Sequence, residues 1–135
     1  MLYTDSNRGT IQNRERARQI IDFHGLRIRN ITPTDIDGFI EYQDKAMIFL
    51  EFKYLDADLP YGQRIALQRL VNNIDKAGKE AVLFVCEHNT TDCDKDIIAE
   101  NAIVRKMYYK ERWYMPRGKS TVKEKINSFI SFIAK

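Results

Sequence analysis

The sequence predicts an α/β fold: a mixed β-sheet flanked by helices, in the order α-β-β-β-α-β-β-α. Three observations lead there. "AVLFVCE", 81–87, is a continuous apolar run of strand length, as expected of a central strand buried on both faces. Residues 61–76 and 120–134 instead carry apolar side chains at helical spacing. Three strand-like segments precede the helix at 61–76, which must cross to a fourth strand, so parallel and antiparallel pairs are both expected.

Taken in order, residues 10–24 read as a helix, because Ala17, Ile20, Ile21 and His24 recur on one stripe. His24 is read there as a packed core residue. Gly25 stops the helix. "LRIRNI", 26–31, alternates apolar and basic residues and predicts a strand, ended by "TPT" at 32–34. Residues 36–42 and 46–54 predict a hairpin around "QDK". "DADLPYG" reads as a loop. The helix over 61–76 places Leu67, Leu70, Val71 and Ile74 on one stripe. "HNTTDCDKD" is a loop, and residues 101–109 predict another strand. After "PRGKS", Ser120 is the expected N-cap of a last helix with Val122, Ile126, Phe129 and Ile133 inward.

A chain of 135 residues fits one domain over 1–135 with one core. No apolar run approaches the roughly 18 residues of a membrane span, so no membrane partner is expected. The N-terminal segment lacks an apolar signal core, and the two cysteines, Cys86 and Cys93, make no disulfide framework. A reducing, cytoplasmic setting is the expectation. Cys86, His88 and Cys93 offer three soft ligands where structural zinc takes four, which argues against zinc. No serine stands in a nucleophile elbow, and no glycine loop cradles phosphate.

Charge is unevenly spread. Residues 1–34 hold six Arg against three acids, 35–101 hold seven basic residues against fourteen acids, and 102–134 hold eight against two. An acidic middle between basic ends suits an acidic site with basic walls, as cutting a polyanion requires. Scattered solvated charge gives the same tally. "MYYKERWYMPRGKS", 107–120, interleaves Tyr108, Tyr109, Trp113 and Tyr114 with cations. Such a segment either stacks on bases and holds phosphates or forms an edge strand whose rings cover the core. "NRERAR", 13–18, is likewise a solvated helix face or a backbone contact.

The hairpin carries the chemistry. Glu51 and Lys53 share one strand face, and Asp37, Phe39 and Glu41 share one on the preceding strand. A three-residue connection at 43–45 sets Asp37 opposite Glu51, with Cβ atoms roughly 5 Å apart. A two-residue connection sets Asp37 opposite Phe52, on the wrong face. Two carboxylates this close repel unless a cation lies between them, and Mg²⁺ typically takes one or two carboxylates plus substrate phosphate. A lysine nearby can orient a water. Gln63, one turn before Leu67 on the inner stripe, needs a polar partner if it faces inward, and the strand with Glu51 and Lys53 ends just before its helix. The other reading is a solvated first-turn residue.

"Asp37-x13-Glu51-x-Lys53" on a hairpin resembles the PD-(D/E)xK nuclease superfamily. Its restriction-endonuclease-like core runs helix, three strands, helix, strand, the order read here over residues 10–87. The resemblance implies a nuclease acting on DNA with Mg²⁺ or Mn²⁺. It implies Asp37, Glu51 and the main-chain carbonyl of Phe52 as metal ligands and Lys53 as the residue positioning the attacking water. "GQ" at 62–63 resembles the VRR-type branch, where a glutamine follows the ExK strand. The literal Pro-Asp dipeptide is absent from "PTDID", which leaves Asp35 as a rival to Asp37, one pleat further out. Some members use a first-helix glutamate. Glu15 is the candidate, although it points well away from the apolar stripe. With little beyond a catalytic core, the resemblance favours structure-specific cutting in recombination or repair, with a homodimer as one route to cutting two strands. The alternative is a nucleic-acid-binding or assembly protein that keeps the fold without catalysis.

Overall fold

The computed structural model describes residues 18–135, which fall into two units divided between Pro33 and Thr34. Each is taken by itself.

In the first unit the sequence expectation needs correction. Most of the predicted helix at 10–24, with Glu15 and Ala17, lies outside the described residues. Residues 18–23 are not helical, and His24–Leu26 forms a single 3₁₀ turn. Ile20 and Ile21 are 92% and 74% exposed, and His24 is exposed too, so this stripe is surface and not core. "LRIRNI" is not a strand either. Ile28 and Ile31 exchange both main-chain hydrogen bonds, at 3.0 and 2.9 Å, around Arg29 and Asn30 with φ of 53° and 64°. Two successive left-handed residues make a tight turn of the primed kind, and alternation in sequence does not distinguish it from a strand.

The second unit holds an α/β fold with a five-stranded mixed sheet and two helices. In chain order it comprises β1 (Gly38–Tyr42), β2 (Ala46–Tyr54), α1 (Tyr61–Lys76), β3 (Glu80–His88), β4 (Ile103–Tyr109), β5 (Arg112–Tyr114) and α2 (Val122–Ile133). The strands lie side by side in sequence order, with β2 and β3 parallel and every other pair antiparallel. Parallel pairing needs a crossover, and α1 supplies it. As expected, β3 is central and buried on both faces.

Strand alternation sorts the core into two layers. Ile48, Leu50, Val82, Phe84, Cys86 and Val104 pack with Val122, Ile126, Phe129 and Ile130 of α2. Phe49, Ala81, Leu83 and Tyr108 pack with Leu67, Leu70, Val71 and Ile74 of α1. The α1 stripe read from the sequence is thus the packed one, and in α2 Val122, Ile126 and Phe129 pack as expected, with Ile130 rather than Ile133 joining them in the core. The N-cap of α2 is Thr121, not Ser120. Thr121 and Glu124 form a capping box, while the Ser120 carbonyl accepts from Val104 N–H.

Five strands were expected and five occur, but not the same five. The segment at 26–31 drops out, and β5 enters as the edge strand. The β4–β5 turn places Lys110 and Glu111 at φ 51° and 64°, without the Gly, Asn or Asp that announces such a turn. In β4 a bulge opposite Val85 and Cys86 inserts Arg105 between Val104 and Lys106. Among the described residues no helix is long and apolar enough to cross a membrane.

Candidate active site

The connection between β1 and β2 decides the site. Tyr42 pairs with Ala46 around residues 43–45, with Gln43 and Asp44 at φ 48° and 58°. This is the three-residue connection. Pairing of Gly38 with Leu50 at the first rung therefore brings Asp37, one residue earlier, to the level of Glu51. The two are joined through the main chain. Asp37 N–H donates to Glu51 Oε2 at 2.8 Å, and Phe52 N–H donates to Asp37 Oδ2 at 2.8 Å.

Glu51 lies on the α1 face and is only 1% exposed. Gln63, in the first turn of α1, donates from Nε2 to Glu51 Oε1 at 2.6 Å and to the Asp35 carbonyl at 3.4 Å. Of its two sequence readings, the inward-facing one describes its position. Burial pushes the Glu51 carboxyl up to about 7. The Asp37 N–H bond works against that rise, the Asp37 charge adds to it, the Lys53 charge opposes it, and the Asp35 charge adds slightly. Lys53 is half-buried on the same strand face, two residues on, and makes no hydrogen bond or ion pair with the described residues.

The donor set fits a hard divalent cation. Carboxylate oxygens keep lone pairs beyond the bonds named here, and Asp37 Oδ1 accepts no hydrogen bond from the described residues. Phe52 lies past the end of β1. Its N–H is taken by Asp37, and its carbonyl is directed to the same edge, where the ladder has ended. Two carboxylates and one carbonyl leave room for water and phosphate, which is how Mg²⁺ is usually held. Among the described residues no three His, Cys, Asp or Glu side chains cluster. Of the soft residues, Cys86 is buried in the α2 layer, its thiol pushed up to about 12 mainly by burial, and Cys93 is exposed. The Asp35 carboxylate accepts no hydrogen bond from the described residues, whereas that of Asp37 is tied to β2.

The aromatic segment divides. Tyr108 is buried and donates to Asn72 Oδ1 at 2.9 Å, and Tyr109 donates to Glu80 Oε2 at 2.8 Å. Both rings serve packing. Trp113, its Nε1 donating to Gln68 Oε1 at 2.8 Å, borders a cleft on the α1 face.

That cleft contains residues the sequence reading passed over. The β4 bulge breaks alternation, so consecutive Arg105 and Lys106 both reach Asp58 Oδ1, at 3.3 and 2.8 Å. Arg105 also donates to the Ala57 carbonyl at 2.6 Å. The loop from Lys53 to α1 is thereby pinned. Neither Asp58 nor Lys106 stands out in the sequence, because only the bulge brings them together. No protein-family model, curated protein or solved structure matches the chain.

Proposed function

We propose that the chain is a metal-dependent nuclease of the PD-(D/E)xK type, hydrolysing phosphodiester bonds in DNA. The observation that carries this reading is the hairpin register, which sets Asp37 beside a buried Glu51 with Gln63 bonded to it. The run β1-β2-α1-β3 follows the later part of that superfamily's core. Its opening helix and strand have no counterpart among the described residues.

Asp37, Glu51 and the Phe52 carbonyl would hold Mg²⁺ or Mn²⁺. When bound, the ion supplies charge stabilisation at phosphate oxygen and acidifies water. The chain's own groups do the rest. Gln63 fixes the Glu51 carboxylate, and the Phe52 N–H fixes that of Asp37. Lys53, with no competing partner among the described residues, orients a water toward phosphorus. In-line attack expels the 3′ oxygen and leaves a 5′ phosphate.

A second reading rests on the same hydrogen bonds. Asp37 and Glu51 each accept from main-chain N–H groups where β1 begins, and such a clamp closes a hairpin without catalysis. The two separate in a cleavage panel of linear duplex, single strand, flap and four-way junction. The nuclease reading expects Mg²⁺-dependent products that vanish in EDTA and with Lys53→Ala. Products unchanged by either, or none on any substrate, leave the clamp.

A further inference from the structure

We infer that the cleft on the α1 face receives one unpaired nucleobase from the strand being cut, next to the scissile phosphate. This rests on the nuclease reading for the identity of the strand. Position comes first. The pairings place Glu51, Val85 and Lys106 in one row across three strands on the α1 face, and Asp37, one residue before β1, lies at the Glu51 end of that row. Val85 is in the cleft wall, and Lys106 closes the row. At the usual strand spacing, Glu51 and Lys106 have Cα atoms about 10 Å apart. A nucleotide whose phosphate sits at the carboxylates therefore has the cleft within reach of its base or its neighbour's.

Shape and chemistry follow. The cleft encloses about 410 Å³, within the range of small-molecule sites. Tyr61, Trp113 and Met115 give it apolar and aromatic walls, and Arg64, Lys106 and Asp58 give it charge. Tyr61 is 73% exposed with the Arg64 guanidinium 5.5 Å from its ring centroid. Trp113 is fixed by Gln68 and by the Tyr108 ring at 5.2 Å. The held Trp113 ring and the exposed Tyr61 ring offer faces for stacking, and the cations suit the flanking backbone. Asp58, its carboxyl held below the usual range chiefly by the Lys106 ammonium, is an ionised acceptor at the rim. Exocyclic amino groups of adenine, cytosine and guanine donate to such a group, and thymine has none. Inside a duplex the base faces are stacked away, so entry requires a single strand, a frayed end or a flap.

The chain has one tryptophan, so its fluorescence reports on the cleft. The full chain is titrated in Ca²⁺ with single-stranded oligo-dA, oligo-dT, a blunt hairpin duplex and free dAMP, with cleavage in Mg²⁺ assayed in parallel. Saturable quenching by oligo-dA is expected, weaker with oligo-dT and with the hairpin. Tyr61→Ala, at an exposed position, should raise the apparent Kd for oligo-dA about tenfold without moving the melting temperature. Equal quenching by the hairpin overturns the inference, as does equal affinity of Tyr61→Ala. Equal quenching by dAMP makes the cleft a free-nucleotide site and overturns the strand assignment. Cleavage without quenching sinks the inference alone. Quenching without cleavage sinks the catalytic reading and leaves the cleft as a strand-binding site. Neither signal removes both.

Discussion

Asp37 and Glu51 hold each other through the main chain: the Asp37 N–H donates to Glu51 Oε2 at 2.8 Å. The bond places a carboxylate at 1% exposure beside a second one. Burial, then the Asp37 charge, raise the Glu51 pKa from 4.5 to about 7.

A raised carboxyl stabilises the fold in its protonated form. That contribution is complete below about pH 4.5 and is lost as pH rises through about 7. Discounted to about a third for dielectric screening, it is about 1 kcal/mol. Without metal, Tm should fall by on the order of 4 °C between pH 5 and 8 from this group. Glu51→Gln should flatten the slope, and Mg²⁺ should raise Tm more at pH 8 than at pH 5. A calorimetric series on both proteins checks this. Parallel slopes in mutant and wild type would mean that Glu51 does not titrate in this window.

The same substitution should affect DNA in opposite ways with and without metal. At pH 8 in EDTA, two ionised carboxylates repel a phosphate, and neutralising one should tighten binding about fivefold, roughly 1 kcal/mol. In Ca²⁺ the order should reverse, because the wild type recruits the ion. Fluorescence anisotropy in the two buffers gives the comparison. Equal affinities in both would place these acids away from the nucleic acid.

Gln63 donates to Glu51 Oε1 at 2.6 Å from the first turn of α1. Gln63→Ala should lower cleavage by about 10- to 100-fold, as loss of a ligand's supporting partner commonly does. The metal concentration for half-maximal activity should rise, which simple unfolding would not produce. A fall in rate with unchanged metal dependence would give Gln63 a role other than holding Glu51.

What could be read in advance follows from how local each signal is. Strand alternation narrows Asp37 to two registers, opposite Glu51 or opposite Phe52, and it is the three-residue connection between Tyr42 and Ala46 that selects the first. The α1 stripe continues to Gln63, which leaves an inward and a solvated position both open in sequence, and the bond to Glu51 decides for the inward one. The basic-apolar alternation of "LRIRNI" misled, since Asn30 accepts a left-handed turn as readily as a strand position. The turn into β5 was hidden because Lys110 and Glu111 adopt positive φ without sequence markers. Thr121 displaced Ser120 as N-cap because Ser120 is used by Val104. The cleft was invisible for a longer-range reason. Period-two reasoning puts Arg105 and Lys106 on opposite faces, and only the bulge turns both toward Asp58.

Gly38 tests whether Asp37 must be placed tightly. It opens β1 opposite Leu50, immediately after Asp37. A Cβ there would lie 3.2 Å from Leu50 Cδ1 and 3.3 Å from Leu50 Cβ. The Cδ1 atom can swing aside, but the Cβ is fixed to the β2 backbone. Gly38→Ala should therefore open the first rung by a few tenths of an ångström. The hydrogen bonds of Asp37 to Glu51 and to Phe52, both 2.8 Å, start one residue away and should lengthen with it. The remaining rungs from Phe39 to Tyr42 are untouched, so the fold should survive with a Tm loss of a few degrees. Catalysis depends more steeply on position, and cleavage should fall at least about tenfold. Steady-state cleavage beside a thermal melt measures both. Wild-type rates in a normally folded Gly38→Ala protein would show that Asp37 need not be held at the level of Glu51, and the metal-sharing geometry would lose its support.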